Sequence, residues 1–170
     1  MSIIFSSCHD SDLPDKNNDF VPGDVIVGIK ADISIDQVFE LMNEEHVTID
    51  RMSGFFNYST LPNDSLTYVT NFLKNKPYLN KRGLTGGSAY VHKLDNVIII
   101  TEFFFEMDIA AQQDWMKTMQ TLELKDLNGD TKNLLIKVDH GMEEHWANKF
   151  NDHPYVEWTH LNAYAEIELL

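Results

Sequence analysis

Apolar residues recur along this chain with two different periods, and the switches between them mark out its elements. Asp24 to Lys30 ("DVIVGIK") is a short β-branched run bounded by Gly23 and by charge, which predicts a buried strand. Ser34 and Gln37 have capping-box spacing, and Ile35, Val38, Leu41 and Met42 then form one apolar face of a helix. Val47 to Met52 predicts a second strand, Ser53-Gly54 a turn, and "FFNYSTL" a third strand. Asn63 or Asp64 opens a second helix with Leu66, Val69, Phe72 and Leu73 inward, and Pro77 stops it. Gly83, Gly86 and Gly87 read as an open loop before the strand "SAYVHKL". The order is β-α-β-β-α-β.

The remaining residues repeat that order. "VIIITEFFFEM" predicts a strand, Asp108 caps a helix carrying Trp115, Met116 and Met119, and Asn128-Gly129 is a hairpin signal before "NLLIKV". A helix from Gly141 carries Met142, Trp146 and Phe150, Pro154 ends it, and "YVEWTHL" follows. The two copies align at one offset: Pro154 lies 77 positions after Pro77, and the same offset places Tyr155 on Tyr78, Phe150 on Leu73, Trp146 on Val69 and Met119 on Met42. The expected fold is therefore α+β, two tandem ferredoxin-like βαββαβ units, with an antiparallel sheet and helices packed on one face. Residues 22–95 form the first unit and 96–170 the second. Only the tight turn Asp95-Asn96 joins them, so the last strand of one should pair antiparallel with the first strand of the next.

Composition narrows the function. Among 170 residues, 43% are apolar, enough for a substantial core. Thirteen Lys and Arg against 27 Asp and Glu give a net charge of −14, a field that repels phosphate backbones and anionic headgroups and argues against nucleic acid. The single cysteine, Cys8, excludes an intrachain disulfide. Its setting, "MSIIFSSCHDSD", is an apolar run, two small serines, Cys and then polar residues; it resembles the lipobox of bacterial lipoproteins. That resemblance implies lipidation of Cys8 and a place in the bacterial cell envelope, periplasmic or at the cell surface, with residues 1–21 as anchor segment and tether. The competing reading is a frayed N-terminus with an incidental thiol. No run approaches the ~20 apolar residues of a membrane span, so contact with a membrane would be through lipid alone.

Local motifs offer little catalytic chemistry. His140 and His145 are five apart, off a common helix face, and "HGMEEH" fits neither zincin pattern. Asp126, Asn128 and Asp130 have the spacing of a calcium loop, but Lys137 stands where the bidentate Glu belongs. Glu44-Glu45 and Glu143-Glu144 fall at helix ends, where Glu143-Glu144 complement the N-terminal dipole. Gly86-Gly87 lacks the strand, helix and Lys of a phosphate loop, and Trp115, Trp146 and Trp158 occupy core positions. No enzyme, metal or cofactor is implied.

Two stretches carry a family resemblance. "PGDVIVGIKADISIDQVFELM" resembles the opening of the subtilisin propeptide/protease-inhibitor family, and "LLIKVDHGMEEHWANKFNDHPYVEWTHLNAYAEI" is similar to its closing part. Pro154, Val156, Glu157, Trp158 and Asn162 match that family's Pro, Val-Glu-aromatic strand and the Asn of Glu-Pro-Asn, while His160-Leu161 replace the Glu-Pro. The resemblance implies a unit that docks on a subtilisin-like serine protease with its C-terminal tail in the substrate cleft. Here the tail alternates Ala163, Ala165, Ile167 and Leu169 with Tyr164, Glu166 and Glu168, as an extended strand does. The protease-binding residues would be Ile167, Glu168, Leu169 and Leu170, with Leu170 in the primary pocket and Ile167 three residues upstream. With no catalytic domain following, the unit would act as a free-standing inhibitor or chaperone rather than as a propeptide in cis. Three alternatives stand beside this: an ordinary edge strand, a surface lipoprotein that binds an envelope protein or a carbohydrate, and a plain homo-oligomer. The pattern leaves the oligomeric state open.

Overall fold

The computed structural model describes residues 20–79, 89–94, 97–127 and 132–163. The elements, in order, are β1 (Phe20–Ile29), α1 (Ile35–Glu44), β2 (Thr48–Ser59), α2 (Leu66–Lys74), β3 (Ala89–Leu94), β4 (Val97–Met107), α3 (Ile109–Thr121), β5 (Leu124–Leu127), β6 (Lys132–Lys137), α4 (Glu143–Asn151) and β7 (Val156–Ala163). The protein is α+β, with one antiparallel sheet in the order β3-β4-β2-β6-β1-β7 and β5 also paired to β2.

Local chemistry explains the helices. At α1 the Ser34 N–H donates to Gln37 Oε1 at 3.0 Å, the reciprocal half of a capping box. At α3 the Asp108 carboxylate accepts from the Ala111 N–H at 2.8 Å. A short 3-10 turn over Asn63–Ser65 precedes α2, so Ser65, not Asn63 or Asp64, is its N-cap. The helix expected from Gly141 begins at Glu143. Residues His46 (φ 57) and Glu123 (φ 49), 77 positions apart, adopt left-handed backbone just past α1 and α3. The same offset carries the start of β1 onto that of β4 (20 and 97) and both ends of α2 onto those of α4 (66–74 and 143–151).

The hairpin expected at Ser53-Gly54 does not form. β2 runs on from Thr48 to Ser59, and Gly54 (φ +83) sits in a bulge where the register to β4 shifts. A positive-φ glycine serves a bulge as well as a turn, so the residue alone does not distinguish the two. Asn128-Gly129 lies outside the described residues, but its flanks tell a parallel story. β5 pairs with Phe56 to Ser59 and β6 with Thr48 to Ser53, both antiparallel to β2 and both on its same edge. They succeed one another along one line and do not pair with each other.

Pairing also crosses between the two halves of the sequence. β1 lies between β6 and β7, both from the second half. β4 lies between β2 and β3, both from the first. The expected β3–β4 pairing is present, with Leu94 opposite Val97. Neither half, therefore, closes a sheet from its own described strands alone.

Alternation along the strands puts Val25, Val27, Ile29, Leu134, Ile136 and Phe104 into one core with residues of all four helices, among them Val38, Leu73, Trp115 and Phe150. The helices thus cover one face. Lys132 enters this layer as a buried charge: its ammonium donates to the Ala31 and Ile33 carbonyls and lies 5.4 Å from the Phe55 ring centroid. Burial lowers its pKa, against the opposing charges of Asp126 and Asp32. The other sheet face carries Asp24, Ile26, Leu135, Arg51 and Phe103, and Phe103 is 41% exposed. Trp158, expected in the core, belongs to this open face. It pairs opposite Gly28, and a Cβ on Gly28 would lie 2.2 Å from Trp158 Cε2, so only glycine admits the indole there.

Candidate functional site: the end of the edge strand and the open sheet face

Four elements converge where β7 ends. Among the described strands β7 is an edge, paired to β1 alone. Beside its last residues lies Asp24, 3% exposed although charged. One Asp24 oxygen accepts from Lys137 Nζ on β6, and the other accepts from Asn162 Nδ2 at 2.8 Å. The second anchor is one residue away: the Gly23 N–H donates to Glu143 Oε1 at 2.7 Å, and the Gly23 carbonyl accepts from the Val138 N–H at 2.9 Å. Gly23 holds φ +79, a left-handed conformation that glycine reaches without steric cost.

Glu143, 3% exposed, is the first residue of α4. Burial pushes its pKa up, but hydrogen bonds from the Gly23, Gly141 and Glu143 backbone and the charge of His140 outweigh this and hold it below the ordinary 4.5. Two buried carboxylates therefore tie the start of β1 to the ends of β6 and β7 and to the start of α4. Asn162→Ala removes the tie to β7. We expect faster amide exchange at residues 161–163, by roughly fivefold for a loss of about 1 kcal/mol, with the core unaffected. Hydrogen exchange followed by mass spectrometry reads this directly.

The sequence places Asn162 at the root of the tail, and the structure gives it the Asp24 bond. Sequence pattern assigns no role to Asp24, Lys137 or Gly23, and reads Glu143 only as a helix-dipole residue. A carboxylate directly after Pro-Gly at the head of an apolar strand is the one available signal. His160 and Leu161, the Glu-Pro replacements, point to opposite faces. His160 is exposed opposite Ile26, with its ring 5.2 Å from Trp158, while Leu161 packs against the core. Cys8 and the residues Ile167, Glu168, Leu169 and Leu170 lie outside the described residues.

Beside Asp24 and Asn162 the open face holds a groove of about 380 Å³, whose lining includes Ile26, Leu135, Asp50, Arg51, Lys137 and Asn162. The Arg51 guanidinium stands 5.5 Å from the Phe105 ring centroid. A larger cleft of about 600 Å³ lies between the end of α2 and α3. There Asp114 Oδ2 accepts from Lys76 Nζ at 2.7 Å and from the Tyr78 hydroxyl at 2.8 Å. Burial and the bond to Asp114 raise the Tyr78 pKa far above its ordinary 10.0. Burial would raise that of Asp114, but Lys76 and Tyr78 together hold it below 3.8. Near neutral pH, Tyr78 keeps its proton and Asp114 its charge, so the trio works as a brace between α2 and α3.

No protein-family model, curated protein or solved structure matches the chain. Among the described residues no helix is long and apolar enough to cross a membrane.

Proposed function

We propose that this protein is a non-enzymatic binding module of the bacterial envelope, tethered by lipid at Cys8, that binds or inhibits a subtilisin-like serine protease through Ile167, Glu168, Leu169 and Leu170. Its sheet is read as two ferredoxin-like units that have exchanged parts. β7-β1-β6-β2 with α1 and α4 has the strand order of one such unit, and β3-β4-β2-β5 with α2 and α3 that of the other. β2 serves both. The resemblance to the propeptide family rests on the opening and closing stretches of the sequence.

The observation that carries the functional reading is the geometry at Asn162. β7 ends as an edge strand beside a point fixed by a buried carboxylate, so the residues that follow start from a defined position. Such a segment is suited to pair as an added strand in a protease cleft. The test is a titration of residues 20–170 against a broad subtilisin-like protease, beside a form lacking Ile167 to Leu170. The longer form is expected to inhibit and the shorter form to lose at least about tenfold in affinity, which corresponds to 1.4 kcal/mol. Equal behaviour of the two forms would refute the tail as the recognition element.

A second reading draws on the aromatic open face, where Phe103 is exposed and Trp158 half-buried. A module that bound an envelope protein or a carbohydrate on that face would keep its partner after the tail is removed.

A further inference from the structure

The groove on the open sheet face has Asn162 in its lining, one residue before β7 ends at Ala163. Its floor is apolar, formed by Ile26 and Leu135, and Arg51 rises at its far side. Arg51 is exposed, and none of the ion pairs of the described residues includes it; its contact is the Phe105 ring. Lys137, by contrast, is paired with Asp24. The groove thus offers two aliphatic side chains and the Arg51 guanidinium, which forms no ion pair with Asp50 or Asp24, the two carboxylates of its lining.

Residues 164–170 ("YAEIELL") have the complementary pattern. Ala165, Ile167 and Leu169 form one row, and Glu166 and Glu168 belong to the other. Reach is sufficient: seven extended residues span up to about 23 Å, whereas Arg51 on β2 lies three strand spacings from β7, roughly 15 Å. The polar stretch 9–19 that leads into β1 has Leu13 as its one large aliphatic residue and fits the floor poorly.

We propose that residues 164–170 fold back over the end of the sheet and occupy this groove in cis, with Ile167 and Leu169 against Ile26 and Leu135 and a tail glutamate on Arg51. In this state the segment is latched on its own sheet, and a partner that takes it as a strand must first release it. The latch concerns the free protein and does not rest on the protease reading, so either can fail alone.

The test attaches a nitroxide at residue 170 in a Cys8→Ser, Leu170→Cys form of the full chain and records amide spectra of the isotopically labelled protein. The expected result is loss of the amide signals of Ile26, Arg51 and Leu135, with α2 and α3 unaffected. Arg51→Glu should restore those signals and Arg51→Lys should not; dispersion of the spectrum shows that each variant is folded. Undiminished groove signals would overturn the proposal. So would loss caused by a nitroxide on native Cys8 and not by one at residue 170, which would give the groove to the N-terminal segment. Loss that appears when spin-labelled protein without isotope is mixed with isotopically labelled protein without a nitroxide would assign the groove to the tail of a second copy, and would equally overturn it.

Discussion

Replacing Phe104 by alanine is expected to lower the unfolding free energy by about 3–5 kcal/mol, well above the cost of losing the hydrogen bond from Asn162 to Asp24. Phe104 is fully buried in β4 and packs edge-on against Trp115 of α3, with centroids 4.8 Å apart and planes at 75°. It also meets Phe55 of β2 at 6.4 Å and Tyr78 at 6.3 Å. Truncation removes the transfer energy of the ring, leaves a cavity between neighbours held by the sheet, and forfeits edge-to-face contacts worth about 0.5–1.5 kcal/mol each. Because Phe55 and Tyr78 come from the first half of the sequence and Trp115 from the second, the variant should weaken both halves together. Urea denaturation followed by tryptophan fluorescence and by circular dichroism should give coincident transitions at a lower midpoint. Phe104→Leu, which leaves a smaller void, should cost roughly half as much. A loss below about 1 kcal/mol for the alanine variant would mean that this cluster is not where the halves are joined.

The second large effect is at Glu143. Glu143→Ala should cost about 2–3 kcal/mol near neutral pH, because it leaves the Gly23 N–H without its partner and removes a charge favourable to the start of α4. The pH dependence distinguishes this from lost packing. The folded pKa of Glu143 lies below the ordinary 4.5, so the native state favours the ionised form. Its contribution is fully present above the unfolded pKa and is lost as pH falls through the lower folded value. The stability difference between the parent and Glu143→Ala should therefore be constant from neutrality down to about pH 5 and shrink below it. A difference that did not change between pH 7 and pH 3 would mean that the carboxylate charge contributes nothing.

Helices were legible because their signals are local. Ser34 with Gln37, Asp108 three residues before Ala111, and the inward faces of α1 and α2 can each be read within one window, and each recurs in the structure. β4 was legible from its two apolar runs, residues 97–100 and 103–105, and spans the expected residues. Strand partners were not legible. A period of two tells which face a residue takes and says nothing about which strand lies alongside. Thus the 77-residue offset was visible, whereas the placement of β1 between two strands from the other half was not. Gly54 shows the same limit within a single strand, since only the partners on both sides of β2 decide between bulge and hairpin. At the candidate site Asn162 is marked by its neighbours in sequence. Asp24 and the Gly23 tie of Glu143 leave no such mark, because the partners are more than a hundred residues away.

Whether the segment after β7 recognises a protease is decided by hydrogen exchange across residues 156–170, with and without a catalytically inert subtilisin-like protease. Exchange in residues 164–170 is expected to slow by about tenfold or more, the signature of at least 1.4 kcal/mol of added protection. Helices α2 and α3 should exchange as before. Unchanged exchange in the tail at saturating protease, or protection confined to the open sheet face around Phe103 and Trp158, would contradict recognition through this segment.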